Sequence, residues 1–146
     1  MLRFFAVVLA FVCFACVIGC GPSGPPTVVV KGKLLKGGAP LAVPRSDVGL
    51  GWVQLELTPE GGAAAERGPQ LSRAKDDGSF EFLGEANGVL PGSYRLSVLH
   101  YEQGPPNDKL NGAFSPQKTP IRVTVPGDKG KEYDLGTIDL DNPPQG

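Results

Sequence analysis

Two stretches that join turn residues to alternating apolar residues constrain the fold of this chain most. Residues 76–78 read Asp-Asp-Gly and precede Ser-Phe-Glu-Phe at 79–82, while Pro-Gly at 91–92 precedes Ser-Tyr-Arg-Leu-Ser-Val at 93–98. Asp-Gly permits the positive φ of a tight turn, and alternation places every second side chain on one face of a strand. Two strands of this kind offer aromatic and aliphatic side chains to one buried face, which predicts the centre of a β-sandwich.

Alternation elsewhere brings the number of predicted strands to seven, at residues 27–35, 52–58, 71–75, 79–83, 93–101, 119–125 and 132–140. We expect 79–83 to pair back on 71–75 across the Asp-Gly turn. In the first strand Gly32 interrupts the inner face, which indicates a bulge or a bend. In the last strand the apolar residues change from odd to even positions, which predicts a bulge near Gly136-Thr137.

Composition and length agree with a single domain of this type. A chain of 146 residues is expected to form one core, and its 21 Gly and 15 Pro fall mostly between the alternating segments, where turns are needed. Segment 59–70 is predicted to be a mobile loop. With almost no helical periodicity, the pattern predicts an all-β fold: an antiparallel Greek-key sandwich of the prealbumin-like or Ig-like kind. The 14 basic and 15 acidic residues are spread along the chain, which disfavours a nucleic-acid partner.

The amino terminus has the pattern of an export signal. One Arg at position 3 precedes 16 apolar or small residues at 4–19, which is shorter than the stretch of about 20 that spans a membrane. The stretch ends in Val-Ile-Gly-Cys at 17–20, which resembles the lipobox of bacterial lipoproteins. That resemblance implies cleavage after Gly19 and a diacylglycerol thioether on Cys20. An ordinary secretory signal and an uncleaved anchor are the alternatives.

These assignments divide the chain into a signal peptide at 1–19, a lipidated Cys and Gly/Pro tether at 20–26, a sandwich at 27–140 and a disordered tail at 141–146. Cys13 and Cys16 would be removed with the signal, so the domain is expected to fold without a disulfide or a metal. In lipoproteins of this kind an aspartate after the lipidated Cys signals retention in the inner membrane. Gly21 therefore favours the outer membrane.

Three motifs in the sandwich segment resemble the carboxypeptidase-regulatory-like or transthyretin-like domains of small bacterial lipoproteins. Val-Lys-Gly-Lys-Leu at 30–34 with Gly-Ala-Pro-Leu at 38–41 is similar to their opening V-x-G-x-V…G-x-P-L. Asp-Gly-Ser-Phe at 77–80 is similar to D-G-x-F/Y, and 91–96 is similar to x-G-x-Y-x-L/V. The late loop departs from the family, with Phe-Ser-Pro at 114–116 where members often carry a tyrosine. The resemblance implies a surface-displayed accessory domain without catalytic residues.

Few residues suggest chemistry. His100 is the sole histidine, and its phase places it at the end of a strand with the inward residues Tyr94, Leu96 and Val98. No G-x-S-x-G motif accompanies it, so an enzyme is not expected. Oxygen atoms around the 76–79 turn lack the spacing of a calcium loop, and a solvated turn is the expected role. No cofactor or metal is expected.

Four apolar residues are the candidates for contact with a partner. Trp52 falls on the outward face of its strand and Tyr101 on that of the longest strand, while Leu110 and Phe114 lie in the 17-residue loop 102–118. The predicted function is a structural or protein-interaction module of the cell envelope. The alternative is a carrier for a small ligand or a carbohydrate. For Leu110 and Phe114 the alternative to partner contact is closure of one end of the sandwich.

Overall fold

The computed structural model describes residues 26–41, 51–84, 88–127 and 131–144. They form eight strands and one short helix: β1 (Val29–Lys36), β2 (Ala39–Pro40), β3 (Trp52–Pro59), α1 (Gly62–Ala65), β4 (Gln70–Arg73), β5 (Ser79–Phe82), β6 (Gly92–Tyr101), β7 (Arg122–Val125) and β8 (Glu132–Asp139). Within these residues no helix is long and apolar enough to span a membrane. The predicted signal and Cys20 lie outside the described residues.

The strands form two sheets packed as a sandwich, which confirms the all-β prediction. In the first sheet β1 is central, with β2 and β5 along one edge and β8 along the other. The second sheet has the order β4-β3-β6-β7. Among the described strands, the β1–β8 pair alone is parallel, beginning at Val29 beside Glu132. Because β8 runs parallel to β1, it begins at the same end of the first sheet as β1.

The prediction that 79–83 pairs back on 71–75 is wrong. β4 pairs with β3 and β5 pairs with β1, so the intervening turn carries the chain from one sheet to the other. The turn is bonded to β1, because Leu34 N–H donates to the Gly78 carbonyl at 2.9 Å. Gly78 has a φ of +79°, and a Cβ there would lie 2.7 Å from the Leu34 carbonyl oxygen. The Asp-Gly turn was recognisable from sequence, but the strand on which it packs was not.

The core lies between the sheets and contains the residues that the alternation placed inward. Its largest fully buried side chains include those of Val30, Leu34, Val53, Leu55, Leu57, Phe80, Phe82, Tyr94 and Leu96. The Tyr94 hydroxyl donates to the Leu90 carbonyl at 2.7 Å, so this buried polar group is satisfied. Burial on one face of each strand therefore explains why the alternating pattern predicted the fold so well.

A bulge in β8 confirms the predicted change of phase. Lys31 pairs with Asp134 and Lys33 pairs with Thr137, so β8 contains one extra residue at this point. Gly136 has a φ of +70°, which a residue with a side chain rarely adopts. On β1 the bulge faces Gly32, whose missing side chain leaves room for the Phe80 ring; a Cβ there would lie 2.8 Å from the ring.

Segment 59–70 was expected to be a mobile loop. It instead contains the short helix α1. Ala64 of this helix is buried, with 4% of its surface exposed, and belongs to the core. Alanine has the highest helix propensity, and the run of three alanines allows one helical turn to form. The helix lies close to Gly92, where a Cβ would be 3.8 Å from the Ala64 Cβ. It covers the core at the end of the sandwich where β6 begins.

Candidate functional site

The two ends of the sandwich differ in what they carry. At the end where β1 begins, Val28 exchanges two backbone hydrogen bonds with Val89, at 2.8 and 2.7 Å. We call this the near end, because the tether predicted at 20–26 joins the domain there. The opposite end, the far end, is marked by the Ala74 N–H bond to the Val53 carbonyl and by the turn at Gly78. Loop 102–118 follows β6 and therefore also starts at the far end.

Trp52, Tyr101 and Arg73 form a cluster at the far end on the outer face of the second sheet. Trp52 of β3 is paired with Tyr101 of β6, and their rings meet edge to face with centroids 5.5 Å apart. The Arg73 guanidinium lies 4.7 Å from the centre of the Trp52 ring. Trp52 Nε1–H donates to Gln54 Oε1 at 3.4 Å. We call Trp52, Arg73 and Tyr101 the far-end cluster.

The geometry of the far-end cluster does not provide a flat aromatic platform. The ring planes of Trp52 and Tyr101 are inclined at 62°, so a planar ligand cannot lie across both. Arg73 covers part of the Trp52 ring through a cation–π contact. The arrangement resembles the centre of a protein contact surface, in which Trp, Tyr and Arg are enriched. Arg73 was not predicted; it faces outward because it is paired with Gln54 of β3, which lies on the same face as Trp52.

Asp108 holds the first part of loop 102–118 against the end of β6. Its Oδ1 accepts hydrogen bonds from the N–H groups of His100 at 2.8 Å and Leu110 at 3.0 Å. Its Oδ2 accepts a third from Gly112 N–H at 2.8 Å. Lys109 N–H also donates to the His100 carbonyl at 2.8 Å. One carboxylate thus binds three backbone N–H groups, one in β6 and two in the loop, a role that the sequence pattern did not reveal.

Leu110 and Phe114 are buried in the core, with 7% and 8% of their surfaces exposed. Val98 N–H donates to the Phe114 carbonyl at 2.9 Å, which fixes the loop along the edge of β6. The side chains therefore lie where closure of the sandwich end would put them. Burial removes the apolar surface of both side chains from water, which is more favourable than leaving them exposed in a polar loop. Their burial leaves little of either side chain for contact with a partner.

His100 lies half-buried at the end of β6, beneath the start of the loop. Its Nε2 is buried and, within the part of the chain that the structure describes, has no hydrogen-bond partner. Burial lowers the pKa of His100, and Lys109 acts in the same direction, whereas Glu102 and Asp108 act to raise it. Lys109 is itself paired with Glu102, with Nζ 2.7 Å from Oε2. The neutral imidazole is therefore the form that the folded protein favours.

This burial predicts a loss of stability in mild acid. Because the pKa of folded His100 lies below its ordinary value, the unfolded chain takes up the proton first as the pH falls below about 6.5. The free energy of unfolding should then decrease from about pH 7 to pH 5. Urea unfolding of the wild type and His100→Gln at both pH values measures this difference. If both proteins lose the same stability, protonation of His100 is not responsible.

In the acidic turn at 76–79, the carboxylate of Asp77 forms hydrogen bonds that stabilise the turn itself. Asp77 Oδ1 accepts hydrogen bonds from Ser79 N–H at 3.0 Å and from Ser79 Oγ at 2.6 Å. These bonds hold the pKa of Asp77 below its ordinary value, with a smaller contribution from the charge of Lys33. Across the described ranges, no group of three or more His, Cys, Asp or Glu is placed to hold a metal ion.

Comparison with known proteins leaves these observations to stand on their own. No family model matches the chain, and no curated protein matches it.

Proposed function

We propose that the chain is a cell-envelope lipoprotein, anchored through lipid on Cys20, whose non-catalytic sandwich has a structural or protein-interaction role. The short apolar segment ending in Val-Ile-Gly-Cys at 17–20 supports the anchor. Gly21 supports delivery to the outer membrane over retention in the inner membrane. The sandwich would then be held near the membrane surface by a short Gly/Pro segment.

The placement of the far-end cluster relative to the tether carries this proposal. The tether joins the domain at Val28, and the eight residues of β1 extend about 26 Å from there at the usual rise of a strand. Trp52, Arg73 and Tyr101 lie at the other end of the strands. A lipid anchor at the near end would therefore leave this cluster facing away from the membrane, where another envelope protein could reach it.

The hydrogen bonds of the acidic residues and the burial of His100 support a non-catalytic role. Asp108 accepts three backbone hydrogen bonds, and Asp77 accepts two hydrogen bonds from Ser79. The buried His100 Nε2 has no hydrogen-bond partner among the described residues. The far-end cluster does not favour a carbohydrate carrier, since the inclined rings and the covering Arg73 do not form a stacking surface.

Two variants of the full chain test the proposal in bacterial cells. Cys20→Ala should move the protein from the membrane fraction to the soluble fraction and abolish incorporation of a fatty-acid analogue, because the thiol that carries the lipid is gone. Trp52→Ala should stay in the membrane but lose partners captured by cross-linking, because the central ring of the cluster is removed. Partners are identified by mass spectrometry of the cross-linked products.

Leu83→Ala is the matched control for Trp52→Ala. Leu83 is an apolar side chain that is 57% exposed, whereas Trp52 is half-buried, and Leu83 lies outside the far-end cluster. Its replacement should leave capture unchanged. Membrane retention of Cys20→Ala at unchanged mass would contradict the anchor. Equal capture by the wild type and Trp52→Ala would contradict the far-end surface while leaving the anchor intact.

A further inference from the structure

A groove of about 360 Å³ crosses the outer face of the first sheet, over β5, β1 and β8. The bulge at Gly136 lies at this groove, where it interrupts the regular pairing of β8 with β1. Bulges redirect neighbouring side chains and often occur beside binding sites. Three lysines line the groove: Lys31, Lys33 and Lys75.

Two of these lysines lie on the same face of β1 but have opposite surroundings. Lys31 is paired across the strands with Glu81 on one side and Asp134 on the other. Its Nζ also lies 2.7 Å from Glu132 Oε2, and this hydrogen bond is the main reason that the pKa of Lys31 is raised. The charge of Lys31 is therefore balanced by the protein itself.

Lys33, two residues further along, is paired with Ser79 and Thr137, which carry hydroxyl groups. Within the described part of the chain, neither Lys33 nor Lys75 has a carboxylate oxygen within 4 Å of its ammonium group. The charge of Lys33 does act on Asp77, whose carboxylate is already bonded to Ser79. Among the described residues that line the groove, Lys33 and Lys75 are therefore the cations that no carboxylate pairs with directly.

We propose that this groove binds a small oxyanion, a phosphate or carboxylate group, between the ammonium groups of Lys33 and Lys75. The Thr137 hydroxyl supplies a further donor on the β8 side. Such bonds are charge-assisted and roughly twice as strong as neutral ones. Glu81 and Asp134 repel an anion from the Lys31 end, so the oxyanion is confined to the Lys33 end. The site does not depend on the lipid anchor or on the far-end cluster.

A chemical-shift titration of the ¹⁵N-labelled full chain in neutral detergent tests this site. Inorganic phosphate is added in a low-salt, phosphate-free buffer, and sodium acetate is added in a parallel series. Saturable shifts are expected at the amides of Lys33, Ser79 and Thr137. Tighter binding of phosphate assigns the site to a phosphate group, and tighter binding of acetate assigns it to a carboxylate.

Lys31→Met is the matched control, because it removes a lysine from the same groove and strand. Lys33→Met should weaken binding about tenfold or more, since one charge-assisted contact is lost, whereas Lys31→Met should leave it within about twofold. Lys75→Met, which lies outside β1, should weaken binding in the same way and replaces Lys33→Met if that variant alters the fold. Equal weakening by the Lys31 and Lys33 variants would show that general electrostatic attraction is responsible and overturn the proposal. Non-saturable shifts would overturn it too.

Discussion

Phe80→Ala is expected to destabilise the domain by about 3–5 kcal/mol, the usual cost of removing a buried aromatic ring. Phe80 is 2% exposed and meets Phe82 edge to face, with ring centroids 5.8 Å apart. Its ring also fills the space over Gly32, which has no side chain to fill the gap. Because small domains have total stabilities of about 5–15 kcal/mol, the loss should be visible as a large shift of the urea midpoint.

Leu83→Ala provides the comparison for this prediction. Leu83 directly follows β5, but 57% of its surface is exposed, so little apolar contact is lost when it is shortened. We expect a change of no more than about 0.5 kcal/mol, as for most surface substitutions. Similar losses for the two variants would contradict the packing of β5 against the second sheet.

Asp108→Ala should cost about 2–4 kcal/mol and loosen the loop that follows β6. Three backbone N–H groups, of His100, Leu110 and Gly112, lose their acceptor at once. Hydrogen bonds to a charged group contribute about 1.5–3 kcal/mol each, but partial access of water reduces the loss. Leu110 and Phe114 are held in the core by the same loop, so their packing should weaken too. Hydrogen exchange at the three amides, together with urea unfolding, measures both effects.

Asp134→Ala is the control for the loss of a carboxylate. Asp134 is exposed and accepts one backbone hydrogen bond, from Gly136 at 2.8 Å. The expected cost is about 1 kcal/mol or less, since water can replace that acceptor. Unchanged hydrogen exchange in Asp108→Ala would mean that the loop does not rely on this carboxylate, and closure of the sandwich end would then rest on Leu110 and Phe114 alone.

The positions of seven of the eight described strands, and the buried face of most of them, followed from the sequence, whereas β2 was not predicted. Alternation is a local property, because successive side chains of a strand point to opposite faces. The inward set of Val53, Leu55 and Leu57 could therefore be read directly, as could the change of phase in β8 that marks the bulge at Gly136. The outward phase of Trp52 and Tyr101 was equally visible, although the contact between their rings was not.

Tertiary structure alone decided which strands pair and which polar groups work together. The turn at Gly78 suits a hairpin, yet it joins two sheets, because its partner is Leu34, more than 40 residues earlier in the chain. Arg73 contacts Trp52 only because β4 pairs with β3. The charged surroundings of Lys31 and Lys33 differ because β5 and β8 place different residues beside them. Cross-strand neighbours are set by register between distant segments, and local sequence carries no record of that register. The fold class was therefore predictable from sequence, while the far-end cluster and the lysine groove depended on the assembled sheets.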